Sequence, residues 1–321
     1  MKAVIYTQYG PPEVLQVTEI EKPAPRDKQV LVKVHATSVN AGDYRIRFGK
    51  PVLLRLMVGG LLKPKNQSVG SDVAGRVEAV GENVTQFHPG DEVFGCASGA
   101  FAEYALAREA YLAPKPANST FEQAAAVPVA ALTALQGLRD TGKIQPGQKV
   151  LIQGASGGVG SFAVQLAKSF GAEVTAVCSP RNLEVAHSWR AEHVLDYTKE
   201  DFTRSRHRYD LIFAANGYHP LSAYRRALTP QGMYVCAGGT LPQIFQAMLF
   251  GPMLSRKGGK TLTSMGIAKV KQEDLAILGQ ILETGKIAPL IDRSYPLSEV
   301  VEAFRYVEDT HPQGKVVVTV A

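Results

Sequence analysis

The chain has 321 residues, of which 45% are hydrophobic and 20% charged, the balance of a soluble globular protein with material for two cores. Its net charge of +6 is spread along the sequence. No basic tract carries interleaved aromatics, which argues against a nucleic-acid partner and leaves a surface that favours an anionic cofactor. The three cysteines, Cys96, Cys178 and Cys236, lie far apart; they form neither a disulfide framework nor a zinc knuckle and read as small buried thiols of a reducing compartment.

The first residues, MKAVIYTQYG, lack the apolar core and cleavage site of a secretory leader. Residues 30–36 alternate at period two, and 73–80 and 92–94 are further short strands. The turns Gly10-Pro11-Pro12, Pro23-Ala24-Pro25, Gly81-Glu82-Asn83 and Pro89-Gly90-Asp91 separate them, so this part reads as an all-β barrel. The greasiest segment, 52–62, contains Arg55 and two glycines and is shorter than a membrane span requires. A cytoplasmic protein with no membrane insertion is the expectation. An alanine-rich helix is expected over 121–138, interrupted at Pro128. Strands then alternate with helices: strands at 150–152, 174–178, 194–195, 211–213 and 233–237, helices at 158–170, 182–189 and 221–228. The closing part (helices 272–283 and 298–307, strand 314–320) is expected to pack back on the β-rich half.

The most informative stretch is VLIQGASGGVG, residues 150–160. An unbroken apolar strand enters it, and a helix with Val159, Phe162, Ala163, Leu166, Ala167 and Phe170 on one face leaves it. In the dinucleotide register GxGxxG, Ala155, Gly157 and Gly160 take the three glycine positions. Ala155 can make the tight exit from the strand if its φ is negative, Gly157 would let a pyrophosphate reach the backbone, and Gly160 would let helix and strand pack closely. The whole turn, Ala155, Ser156, Gly157, Gly158, Val159 and Gly160, is therefore read as binding the cofactor phosphates at a helix N-terminus. An NAD site carries a carboxylate about 20 residues further on. Here the second strand ends Val177-Cys178-Ser179-Pro180-Arg181-Asn182, and Ser179 and Arg181 can donate to a 2′-phosphate. NADPH is the cofactor expected.

From end to end the chain resembles the zinc-independent quinone oxidoreductases of the medium-chain dehydrogenase/reductase superfamily. The resemblance rests on the ordered series MKAVIYTQYGPPEVL, SVNAGDYRIRFG from Ser38, GSDVAGRVEAVGENV from Gly70, GDEVFG from Gly90, GAFAEYA from Gly99, AAAVPVAALTALQGL from Ala124, the GASGGVG turn and the closing GKVVVTV. It implies an α/β protein: a Rossmann doubly wound parallel sheet over 123–266, and a GroES-like β-barrel catalytic domain split around it as 1–122 and 267–321. The active site would lie in the cleft between them. It also implies Tyr197 beside the 2′-phosphate, Thr133 near the nicotinamide amide and Lys315 as a cofactor contact, although the strand reading alone makes Lys315 an ordinary exposed residue.

Zinc alcohol dehydrogenases of this superfamily carry a cysteine and a histidine ligand in two segments that here read Ser38-Val39-Asn40-Ala41-Gly42-Asp43 and Val69-Gly70-Ser71-Asp72-Val73. Neither holds Cys or His, and a zinc site needs three or four protein ligands. Without a Lewis acid, oxidising a simple alcohol is hard. Reducing a quinone or an α,β-unsaturated carbonyl needs only hydride and hydrogen-bond donors. Asn40 and Asp43 match the family's Asn-x-x-Asp. Asn40 would donate to the substrate carbonyl, Asp43 would fix a neighbour, and Tyr44 would be a proton donor; a plain turn pair is the alternative for Asn40 and Asp43. His35 and His88 read as structural. The segment 52–66 would be a flap over a hydrophobic substrate or an interface, and a homodimer would form through the edge of the Rossmann sheet near residues 234–239. The alternatives are an NADP-dependent alcohol dehydrogenase and a cofactor-binding protein with little turnover.

Overall fold

The computed structural model describes residues 1–50, 52, 55, 60–255 and 259–320. The chain forms two compact units, one of Met1–Val129, Val270–Gly285 and Pro289–Ala321, the other of Ala130–Lys269 and Lys286–Ala288.

In the first unit, β1 (Lys2–Ile5) and β2 (Gln16–Glu19) form an antiparallel pair. Then come β3 (Gln29–Ser38), α1 (Ala41–Phe48), β4 (Asp72–Val80), β5 (Glu92–Cys96), β6 (Tyr104–Arg108) and β7 (Leu112–Pro114). Val30, Val32 and Val34 alternate along β3, and all turn into one apolar cluster with Val73, Val77, Val93 and Leu112. These three valines anchor β3 on the barrel core, while its pairing with β4 shifts register at Leu31/Val32 and Val34/Ala36. β3 stops at Ser38 because Asn40 caps α1, its N–H donating to the Asp43 carboxylate at 2.8 Å. The Asn40–Asp43 pair is thus a helix cap rather than a free turn. The alanine-rich stretch is two helices, α2 (Phe121–Ala125) and α3 (Pro128–Gln136), because proline cannot continue a helix but suits a first turn.

The second unit contains β8 (Lys149–Gln153), α4 (Gly158–Ser169), β9 (Glu173–Cys178), α5 (Leu183–Ser188), β10 (His193–Asp196), β11 (Tyr209–Ala214), α6 (Leu221–Ala227), β12 (Leu228–Cys236), α7 (Leu241–Ser255) and β13 (Thr261–Ser264). The sheet runs β10-β9-β8-β11-β12-β13 with every neighbouring pair parallel. Chain order reverses between β8 and β11, the switch point where doubly wound sheets bind ligands. Residues 234–239, the end of β12 and the turn after it, do not lie at the sheet edge, since β12 lies between β11 and β13; β13 is the edge. Two buried glutamines tie down the ends of this unit. Gln136 exchanges two hydrogen bonds with the backbone of Lys269 (2.7 and 2.9 Å). Gln165 does the same with Ala288 (3.1 and 2.7 Å).

The remaining elements, α8 (Gln272–Glu283), β14 (Ile291–Pro296), α9 (Val300–Asp309) and β15 (Lys315–Thr319), return to the β-rich unit. β15 runs antiparallel to β3 with Val317 opposite Ser38. The sheet order is β14-β15-β3-β4-β5-β7, with β6 also on β3. Phe304 of α9 packs on Phe101 at 5.3 Å between ring centroids. Arg47 of α1 is fully buried, donates to Gly10 O at 2.5 Å and pairs with Glu308 of α9. The apolar segment expected as a flap, 52–66, lies partly outside the described residues. Of the rest, Gly60 O accepts the Tyr9 hydroxyl at 2.7 Å and Leu62 is exposed. Among the described residues no helix is long and apolar enough to cross a membrane.

Candidate active site

The phosphate turn joins β8 to α4. The left-handed exit from the strand falls at Gly154 (φ +78°), where an added Cβ would meet the Asn216 Cβ at 2.9 Å. Ala155 is not among the residues of positive φ and is fully buried. Ala155 thus keeps the non-positive φ that its side chain requires at the strand exit, and the left-handed residue there is Gly154 beside it. At Gly157 a Cβ would find nothing nearer than Gly154 O at 3.6 Å, so a ligand can approach the backbone. At Gly160 a Cβ would fall 1.9 Å from Gly154 O, so only glycine lets α4 lie this close to the strand. Gly157 caps α4, and the first helical bond runs from Ser161 N to Gly157 O at 2.9 Å. The N–H groups of Gly158, Val159 and Gly160 therefore have no acceptor within the helix.

Beside this turn, β9 ends at Cys178 and the chain continues through Ser179 into a short 3-10 turn, Pro180–Asn182. Asn182 is 3% exposed; its Nδ2 donates to Ser156 Oγ at 2.7 Å and to Ser179 Oγ at 2.9 Å. Its Oδ1 is buried with no partner. Arg181 is exposed. Tyr197 follows β10, half exposed, with its ring 6.4 Å from that of Tyr218, which follows β11. Asp196 lies opposite Cys178 in the β9–β10 register, but its Oδ1 accepts from Thr198 N and Oγ1 at 2.9 and 2.7 Å. That carboxylate oxygen is spent on its own turn. Burial and the charge of Asp196 push the Cys178 thiol up to about 11, leaving it inert. Thr133 lies half-buried on α3.

In the barrel unit a second polar cluster forms where β3, α1, β4 and β15 converge. Asp72, at the start of β4, is fully buried. Its Oδ2 accepts from Ser38 Oγ (2.5 Å), Asn40 Nδ2 (2.8 Å) and Lys315 Nζ (3.3 Å). Its Oδ1 accepts from Val129 N at 2.8 Å. Lys315 is 4% exposed, and its ammonium also donates to Asn40 Oδ1 at 2.5 Å and Val39 O at 3.3 Å. Lys315 is thus no surface strand residue, and its donors are committed to three barrel acceptors. The Asn40 amide is engaged as well: Nδ2 donates to Asp72 Oδ2 at 2.8 Å and to Ser38 O at a long 3.4 Å, and Oδ1 accepts from Lys315. Asp43, 7% exposed, has its carboxyl pushed up from 3.8 to about 7: burial dominates, Asp72 adds to it, and the Asn40 N–H and Lys315 oppose it. Tyr44 packs its ring with the apolar cluster around Phe101 and Phe304. His35 stacks on Phe121 at 4.2 Å and His88 is exposed.

These residues do not suit zinc. An ammonium already sits between Asn40 and Asp72, and Cys96, opposite Asp72 in register, has its thiol pushed well up by burial and the neighbouring carboxylates. Among the described residues no group of three or more His, Cys, Asp or Glu could hold a metal ion. The cluster can instead hold a proton on Asp43, whose charged form is disfavoured by burial and by the Asp72 carboxylate. The phosphate turn, by contrast, suits a dinucleotide: it has an open backbone at Gly157, a free helix N-terminus and an orphaned acceptor on Asn182. Asp72, Asn182 and Tyr218 were not singled out from sequence. Asp72 sat in view in the segment that lacks a zinc ligand, and only its contacts reveal its role.

Residues 26–117 match the alcohol dehydrogenase GroES-like domain family and residues 189–318 the zinc-binding dehydrogenase family. The chain is 34% identical over 334 residues to the chloroplastic NADPH-dependent alkenal/one oxidoreductase of Arabidopsis thaliana, across 99% of this chain and 79% of that one. Its fold is similar to the quinone oxidoreductase from Coxiella burnetii (TM-score 0.86, 30% identity, covering 100% of this chain and 99% of the other). It is also similar to the Escherichia coli quinone oxidoreductase complexed with NADPH (TM-score 0.85, 25% identity, covering 99% and 100%). With a Rossmann sheet, a GroES-like barrel and relatives matched along almost its whole length, the chain belongs to the medium-chain dehydrogenase/reductase superfamily, among its quinone oxidoreductase-like members.

Proposed function

We propose that this protein is an NADPH-dependent oxidoreductase that reduces quinones or α,β-unsaturated carbonyl compounds by hydride transfer without a metal. The observation that carries the reading is the buried Asp43 carboxyl, raised to about 7 and embedded in a network closed by the Lys315 ammonium. A carboxyl that keeps its proton near neutral pH can serve as a general acid in place of a Lewis acid. The names of the Arabidopsis and E. coli relatives support the same substrate classes and the same cofactor.

The chemistry the cofactor supplies is a hydride from its nicotinamide ring. In the turn of residues 155–160 the N–H groups of Gly158, Val159 and Gly160 would hold its pyrophosphate, those of Ala155 and Gly157 being donated to Val177 O and Gly154 O. Ser179 and Arg181 would hold its 2′-phosphate with Tyr197 alongside, and Thr133 its carboxamide. Asp43 would deliver the proton that completes reduction of the acceptor and recover one from water. Asn40 would act through its backbone N–H, which aims the Asp43 carboxyl, and Asp72 with Lys315 would hold Asn40 in place. Tyr44, its ring packed beside an apolar cluster, would be the alternative proton donor. The barrel unit would carry catalysis and the six-stranded unit the cofactor. A cytoplasmic homodimer belongs to the same proposal, supported by the edge strand β13 and the apolar side chains Phe245, Met248, Leu249 and Met253 exposed on α7.

The test is NADPH oxidation against a panel of quinones, enones and aldehydes, with and without a chelator. Quinone or enone turnover that ignores the chelator is expected. Chelator-sensitive turnover, or alcohol oxidation with stoichiometric zinc, would overturn the metal-free mechanism in favour of an alcohol dehydrogenase. NADPH binding with no turnover on any acceptor would favour a cofactor-binding protein.

A further inference from the structure

We infer that Asn182 is a positioning residue for the cofactor's 2′-phosphate: its amide orients the hydroxyls of Ser156 and Ser179 so that both donate to phosphate. The inference rests on the NADPH reading above and adds to it a residue that touches neither the glycine turn's backbone nor any charged side chain in the contacts described.

The argument begins with hydrogen-bond direction. Asn182 Nδ2 has two hydrogens, and it places one on Ser156 Oγ and the other on Ser179 Oγ, at 2.7 and 2.9 Å. Each serine oxygen therefore turns a lone pair toward the amide. On a tetrahedral oxygen the O–H must then point elsewhere. Ser179 makes no capping bond to the turn that follows it, so its hydroxyl is not otherwise committed as a cap. A phosphate at neutral pH offers acceptors only and favours sites where donors are already aligned. One amide thus sets the polarity of a hydroxyl in the phosphate turn and of a hydroxyl at the end of the neighbouring strand.

The opposite amide orientation would reverse this polarity. Oδ1 would accept from both hydroxyls and the NH2 group would be the buried, unpaired end, stranding two hydrogens in place of one carbonyl oxygen. In the observed orientation the Oδ1 of a residue 3% exposed has no partner. Such an orphan is costly to keep in a folded protein and calls for a donor, which a water or a bound ligand supplies. A ribose hydroxyl next to a 2′-phosphate is a donor of the required kind.

The measurement is direct binding of NADPH, NADH and adenosine 2′,5′-bisphosphate, by fluorescence for the reduced dinucleotides and calorimetry for the bisphosphate. Asn182→Asp turns the amide into an acceptor that draws both hydroxyls toward itself. It should lower the NADPH-over-NADH preference by roughly tenfold or more, weaken the bisphosphate in parallel, and change NADH affinity by less than about threefold. Asn182→Ala, which leaves the hydroxyls unoriented, should lower the preference by about threefold. Ser179→Ala should do the same, with little further loss in the double variant. If Asn182→Asp fails to fold, the two alanine variants decide. Equal weakening of NADPH and NADH, or an unchanged preference in the folded Asn182 variants, overturns the inference while the NADPH reading stands. A wild-type protein that binds NADH as tightly as NADPH overturns that reading and this inference together.

Discussion

Replacing Asp43 by asparagine separates the structural cost of its burial from its use as an acid. Asparagine keeps the shape, and its Oδ1 can still accept the Asn40 N–H that caps α1. The rise of the Asp43 pKa from 3.8 to about 7 corresponds to roughly 4 kcal/mol of preference for the protonated form. Because the folded value is the higher one, folding takes up a proton between about pH 4 and about pH 7. The stability this group contributes is fully present below about pH 4 and is lost as pH rises to about 7. Asp43→Asn has no such titration. Its stability relative to wild type should therefore climb by about 1.4 kcal/mol for each pH unit from 5 to 7, then level off. Urea unfolding of both proteins at pH 5, 6, 7 and 8 measures the slope. The same substitution should lower kcat by roughly 10²–10⁴ and remove the fall in wild-type activity above about pH 7. A stability difference that ignores pH, together with retained activity, would refute both the raised carboxyl and the acid role.

Other substitutions test the rest of the site. Lys315→Met strands the Asp72 carboxylate with no cation and should cost about 3–5 kcal/mol in urea unfolding. Adding Asp72→Asn should recover more than half of that loss, and no recovery would mean the two residues act independently. Gly157→Ala and Gly160→Ala should separate in a paired test of melting temperature and NADPH affinity. The first, with open space around its Cβ, should leave melting almost unchanged and weaken binding at least about tenfold. The second drives a methyl into Gly154 O and should cost about 1–3 kcal/mol or more besides. Gln165→Leu removes both bonds to Ala288 and should destabilise by about 1–3 kcal/mol; an unchanged urea midpoint would show that this clamp contributes nothing.

The elements that were legible in the sequence share one property: their signals are local. The period-two run of β3, the apolar run of β8, the stripe of α4 and the turn between them each lie within about a dozen residues. The pattern of such a stretch reports its own secondary structure. α7 and β13 escaped for related reasons. The helix LPQIFQAMLFGPMLS is apolar nearly all round and carries Pro252 inside it, so it has no stripe to read, and TLTS is too short to alternate convincingly. Missing β13 is what misplaced the sheet edge at β12. At the phosphate turn the motif's spacing places Ala155 at the strand exit, and only the backbone shows that the positive φ there falls on Gly154.

The chain's order of residues by itself determined that a nucleotide-binding strand, turn and helix follow a β-rich half, and that the two segments resembling zinc-ligand segments hold no Cys or His. Only tertiary structure decided what those two segments do. Asn40, Asp72 and Lys315 are separated by 32 and 243 residues, and strand pairing of β15 on β3 and β3 on β4 brings them within hydrogen-bond reach. The Asp43 carboxyl is raised because that packing removes water from it and sets another carboxylate nearby. A pKa and a hydrogen-bond direction depend on neighbours in space, and sequence adjacency carries no record of them.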